Sequence, residues 1–377
     1  MQSRSASVVL LMLFFCASYG ADRAVAQSVR ARVAAVGDLM CHDDQIKHAL
    51  YGNGYSYDSC FMYVAPLLKK ADLATGNLET VHAGADAVFA GYPSFNTPDE
   101  YSAALKRAGF DVITTANNHA YDRQMKGITR TLDVLEKLGF AVTGTSRSDT
   151  MRSKPVLLTA NGIRLAFLAY TYGVNKNALP NEHRLTVNIT DTTWIKEDLT
   201  YLHALPKENR PDKILLALHW GVENSQARTT EQQAFAKRLF ELGIDVILGS
   251  HPHKIQPAEH HTVLRNGEFV ECFVIYSMGN FLSNMLKRYQ DTGVIVWVDF
   301  EKDRATGKTT LKDTRYTLTY CYRFMEHDRI KHRLLPIEQT LQTNTAPPAV
   351  KKIMGEMRKE LGDLLGSDKR FLPLAAP

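Results

Sequence analysis

Short apolar, β-branched runs alternate along this chain with helical patterns, and run after run stops at a side chain able to hold a metal. The run 32–36 leads to Gly37-Asp38, 72–76 to Asn77-Leu78-Glu79, and 111–116 to Asn117-Asn118-His119. The run 213–218 leads to His219, and 245–248 to Gly249-Ser250-His251-Pro252-His253. Apolar residues at helical spacing fill 57–70, 98–107, 127–138 and 231–242 between them. This alternation predicts an α/β fold. In such folds ligands bind outside the carboxyl ends of the strands, so five loops can converge on one site.

The candidate ligands are Asp38, Glu79, Asn118, His219, His251 and His253. Carboxylate, carboxamide and imidazole without thiolate suit zinc, manganese or iron. Singly, each has an ordinary reading: Asp38 as a helix cap, Glu79 as a surface residue, Asn117 and Asn118 as turn formers, His219 as a core histidine. His251 and His253 are harder to dismiss, because residues two apart in extended chain point the same way. As a set, the six point to a cation site.

Further strands are expected at 164–170, 269–276 and 294–300, and an alternating one at 309–322. Beyond the break at 345–349, a charged helix over 350–365 is expected to pack on the outside. Residues 1–26 read as a secretory signal: Arg4, the apolar run 8–17, then Ala24-Val25-Ala26 as a cleavage pattern. The alternative is an uncleaved segment tethering the chain to a membrane. Export gives meaning to the even cysteine count that remains, Cys41, Cys60, Cys272 and Cys321, which permits two disulfides. The net charge of +5, with scattered Lys and Arg, disfavours nucleic acid as a partner. No G-x-S-x-G, P-loop, G-x-G-x-x-G or H-E-x-x-H pattern occurs.

Six segments in order now carry a resemblance: Gly37-Asp38-Leu39-Met40-Cys41-His42, Gly76-Asn77-Leu78-Glu79-Thr80, Ala116-Asn117-Asn118-His119-Ala120-Tyr121-Asp122, His219-Trp220-Gly221-Val222-Glu223, Gly249-Ser250-His251-Pro252-His253 and Tyr276-Ser277-Met278-Gly279-Asn280-Phe281. Together they resemble the CapA family of capsule-synthesis proteins, which includes the PgsA-type proteins of poly-γ-glutamate production. That family is similar to the calcineurin-like metallophosphoesterases. The resemblance covers about 32–282 and implies a four-layer αββα sandwich of two mixed sheets. With the residue pattern this gives one domain over 32–300, a strand extension of it over 301–342, and a linker and peripheral helical tail over 343–377.

It also implies two divalent ions (manganese, iron or zinc). Asp38 and His253 would hold the first, Asn118, His219 and His251 the second, and Glu79 would bridge them. His119 would stand beside them as general acid or phosphate-contacting group, with Asn117, Asp122, Glu223 and Asn280 supporting ligands or substrate. Two positions depart from the phosphoesterase pattern. Met40 stands where Asp-x-His would place a ligand, leaving His42 as a substitute ligand or a helix-start residue. Glu79 stands where an aspartate would bridge. The implied function is an exported metal-dependent hydrolase or transferase acting on a phosphoester or a surface polymer, beside a membrane-bound polymer synthase. The alternative is a non-catalytic accessory that binds an anionic polymer.

Overall fold

The computed structural model describes residues 27–175 and 179–375. The expected signal segment, 1–26, lies outside the described residues. No described helix is long and apolar enough to cross a membrane.

Two mixed sheets face each other. The larger runs through the strands Arg329–Pro336, Thr309–Glu326, Thr292–Asp303, Ser28–Leu39, Leu73–Leu78, Val112–Thr114 and Ala141–Thr143. The last four of these are parallel, and the first three join on antiparallel. The second sheet is ordered Ala258–Arg265, Glu268–Ile275, Val246–Ser250, Lys213–His219, Ile163–Thr171, Val156–Ala160. It is parallel at its centre and antiparallel at both edges.

The period of two along the strand Ser28–Leu39 shows how the layers arise. Ala31, Val33 and Ala35 enter the core between the sheets, together with Phe167, Leu215 and Phe273 of the second sheet. Ala34 and Val36 point the other way, onto Tyr101, Leu105 and Leu135 of the helices Asp99–Ala108 and Gln124–Lys137. Ile195, Leu199, Ala236 and Leu239, on the helices Thr192–Ala204 and Thr230–Leu242, cover the far face of the second sheet. Strands buried on both faces read as continuous apolar runs, as these do. The result is a four-layer αββα sandwich. Local signals start the helices: Asp191 accepts from the Thr193 N–H, and Thr229 and Gln232 form a reciprocal capping box.

Two expectations need correction, and the disulfides that the cysteine count permits are absent among the described residues. The helix read across 57–70 is two short helices, Asp58–Phe61 and Ala65–Leu68, because Pro66 fits only in a first turn. The cysteines are not paired. Cys41, Cys60 and Cys321 lie in the core outside the larger sheet and Cys272 in the core outside the second, all four free and buried. Burial pushes the thiols of Cys41, Cys272 and Cys321 up to about 12, so they are inert. Finally, the charged helix, Pro348–Leu365, is not peripheral. Its Met354, Met357, Leu361 and Leu365 are buried and join the apolar cluster that lies between the sheets.

Candidate metal centre

The parallel strands of both sheets deliver their carboxyl ends to one place. Asp38 ends its strand beside Asn77, and Glu79 follows the neighbouring strand Leu73–Leu78. Asn117, Asn118 and His119 follow Val112–Thr114. The second sheet brings His219 at the end of Lys213–His219, and His251 and His253 just past Val246–Ser250. Two glycines make the approach possible. A Cβ on Gly37 would stand 1.9 Å from the carbonyl oxygen of Gly279, and one on Gly249 1.9 Å from that of Tyr276. His251 and His253 have φ of 98° and 56°, a strained conformation for non-glycine residues of the kind that clusters at functional sites.

Asp38, Glu79 and His253 form one group of buried donor atoms, all within 4.8 Å of one another. His253 Nδ1 lies 3.4 Å from Asp38 Oδ2 and 2.9 Å from Asn280 Oδ1. His219 Nε2 is 3.5 Å from Glu79 Oε1 and 2.8 Å from Asn118 Oδ1. The His251 ring lies 4.8 Å from that of His219. All six candidate ligands are therefore brought together.

The electrostatics of this cluster are unbalanced without a cation. Both carboxylate oxygens of fully buried Glu79, and His251 Nδ1, have no hydrogen-bond partner. Burial and the neighbouring Asp38 raise the Glu79 carboxyl well above the usual carboxylate range. Burial would raise Asp38 too, but the His253 and His219 imidazoles and the Asn77 amide outweigh it and hold that carboxyl at about 2. His219 falls well below an ordinary imidazole through burial and the nearby His251, and burial with His253 brings His251 to about 4. Metal ligation needs carboxylates and neutral imidazoles. His219 and His251 are already held neutral. Glu79 would release a proton as an ion enters, and so would His253, where burial is outweighed by Asp38 and Asn280 and the imidazole is raised.

The remaining candidates sit around this centre. His119 Nδ1 is 2.8 Å from Asp122 Oδ2, and its Nε2 is 3.2 Å from Asn175 Nδ2. Asn117 donates to the Leu78 carbonyl and accepts from the His119 N–H, so it braces the loop. Glu223 is exposed on the wall of a cavity of about 370 Å³ that opens beside His119 and His253. His42 also lines that cavity but stands outside the Asp38, Glu79, His253 group. It precedes the helix Asp43–Ala49, and its Nδ1 accepts from the Asn284 N–H at 3.2 Å. Met40 forms another part of the wall.

Four contributors were not singled out from the sequence. Asn77 donates to Asp38 Oδ1 at 2.8 Å, Ser250 Oγ lies 2.9 Å from His219 Nδ1, and Asn175 links His119 to Asn118. The Tyr172 ring packs 4.6 Å from that of His251. Tyr172 and Asn175 follow the strand Ile163–Thr171, so extending the strand-end rule to a sixth strand would have found them.

A family model described as bacterial capsule synthesis protein PGA_cap matches residues 32–285. The chain belongs to this family. Among PGA_cap-like relatives, the capsule biosynthesis protein CapA of Bacillus anthracis is 27% identical over 265 residues, covering 68% of this chain and 60% of that protein. The PGA biosynthesis protein CapA of Bacillus subtilis is 26% identical over 241 residues, covering 60% of this chain and 57% of that one. The chain thus spans less than two thirds of the length of either relative. A crystal structure of a novel phosphatase from Mycoplasma pneumoniae is similar at 14% identity, with a TM-score of 0.44, covering 77% of this chain and 94% of that one. The PGA_cap match contains every candidate ligand and stops before the strand Thr292–Asp303, which pairs directly with Ser28–Leu39.

Proposed function

We propose that this chain is an exported, divalent-metal-dependent hydrolase or transferase of phosphoesters that acts in the assembly of an anionic surface polymer such as a capsule or poly-γ-glutamate. The observation that carries the reading is Glu79, a fully buried carboxyl group with two unpartnered oxygens, set among Asp38 and the imidazoles of His219 and His253. Burying charge in this way is costly unless a cation satisfies it. The donor set fits two ions. Asp38 and His253 would hold one, Asn118, His219 and His251 the other, with Glu79 between them. Asn118 Oδ1 accepts a hydrogen bond from His219 Nε2–H at 2.8 Å, a contact that an ion held by both would replace. Bound divalent ions supply Lewis-acid polarisation of a phosphoryl oxygen and an acidified water.

The chain's own groups do the rest. Asp122 accepts from His119 Nδ1–H and fixes the tautomer, leaving Nε2 on the cavity side to take up a proton and return it to a leaving oxygen. Asn280 holds the His253 ring through Nδ1, the kind of support that orients ligand imidazoles. Cys41, buried beside Met40 with an inert thiol, takes no part. The capsule context is supported by the family and by the names of the Bacillus relatives.

The test is elemental analysis of protein purified without chelator, beside Glu79→Ala and His251→Ala. About two ions per chain, falling in both variants, is the expected result. One tightly held ion would point to a binding accessory, and none after reconstitution would overturn the reading.

A further inference from the structure

The cavity beside the metal centre has the wrong chemistry for a string of carboxylates. Among its described lining residues there is no Lys or Arg, and the one carboxylate is Glu223. Met40, Pro93, Met285 and the ring of Tyr92 make an apolar wall that runs outward from His253 and His119. The rim continues it. Tyr92 is 65% exposed, Leu286 63%, Val222 54% and Tyr172 49%. Tyr92 itself lines the cavity, Leu286 and Val222 are the chain neighbours of the lining residues Met285 and Glu223, and Tyr172 packs on His251. Single exposed apolar residues are ordinary; several converging on one cleft mark a binding surface.

Resting on the function proposed above, we infer that the substrate is an amphiphile: a phosphoryl head group joined to an aliphatic chain, the head at the Asp38, Glu79 and His253 end and the chain along the Met40, Met285 and Tyr92 wall. A cavity of about 370 Å³ holds the head and the first segment of such a chain. The rest would lie across Leu286 and Val222. A polyanionic strand would instead bring carboxylates against Glu223 with no Lys or Arg among the described lining residues to receive those that lie beyond the ions.

The test is calorimetric binding of inorganic phosphate, then ethyl, butyl and hexyl phosphate, to the manganese-loaded protein. Each buried methylene is expected to tighten binding about fourfold, so hexyl phosphate should exceed ethyl phosphate by at least about tenfold with only two of its four extra methylenes buried. The double variant Tyr92→Ser, Leu286→Ser, altered only at exposed positions, should lose most of that gain. Phosphatidylcholine vesicles with and without phosphatidic acid identify the source: binding that requires phosphatidic acid places the substrate in a membrane, and a chain-length gain without vesicle binding makes it a soluble amphiphile. If phosphate binds and the alkyl series is flat, this inference is overturned and the metal reading stands. If phosphate itself fails to bind, both fall.

Discussion

An acid held away from water can reveal what a site is for, or it can simply cost stability, and fully buried Glu79 and half-buried Asp291 illustrate the two cases. Glu79 has a reason to be buried, because Asp38, His219 and His253 bring three further donor groups beside it. Asp291 has none. Burial pushes its carboxyl up to about 6 against the pull of Arg288, and its Oδ1 has no partner. A carboxyl raised in the fold weakens the native state as pH climbs from the unfolded value, about 4, through about 6, after which the penalty is complete. Asp291→Asn should therefore match the parent near pH 4 and be more stable by about 1–2 kcal/mol above about pH 6, with partial exposure allowed for. Thermal melts across that range check it, and an equal difference at both ends would refute it. Residue identities were legible in the sequence wherever a ligand ended a strand. The place of His42 was not, since it depends on the Asn284 N–H, 242 positions away.

At the scale of elements, the strand ends at the site are held together by backbone contacts too close for a side chain. Gly249→Ala would place a methyl group 1.9 Å from the Tyr276 carbonyl oxygen, on backbone that cannot swing aside. The expected loss is at least about 3 kcal/mol, seen as a lowered midpoint of urea unfolding. Ala at exposed Gly162, where nothing lies within 4 Å, is the contrast and should cost only what its φ of 81° demands. Sequence periodicity located the parallel strands well, because strands buried on both faces are uninterrupted apolar runs. It passed over Ala258–Arg265 and Arg329–Pro336, edge strands whose polar faces blur the signal. It also ran a helix through Pro66.

For the whole molecule, the C-terminal helix is part of the core between the sheets although the family match ends at 285. Leu361→Ala should destabilise the protein by about 2–4 kcal/mol, as deletion of a fully buried leucine does. Truncation before Pro348 should uncover part of that apolar cluster and yield aggregated protein. If the truncated chain were soluble with an unchanged melting temperature, the helix would be an appendage after all. The charged face of the helix masked this role in the sequence.

The ligand set is divided between the two sheets: Asp38, Glu79 and Asn118 ride on one, and His219, His251 and His253 on the other. An ion gripped from both sides is a reversible cross-link joining positions more than 200 residues apart in sequence. Its removal should do more than empty a pocket. The two halves of the sandwich would lose their fastening, and chelation would turn one sharp unfolding transition into a lower, broader one.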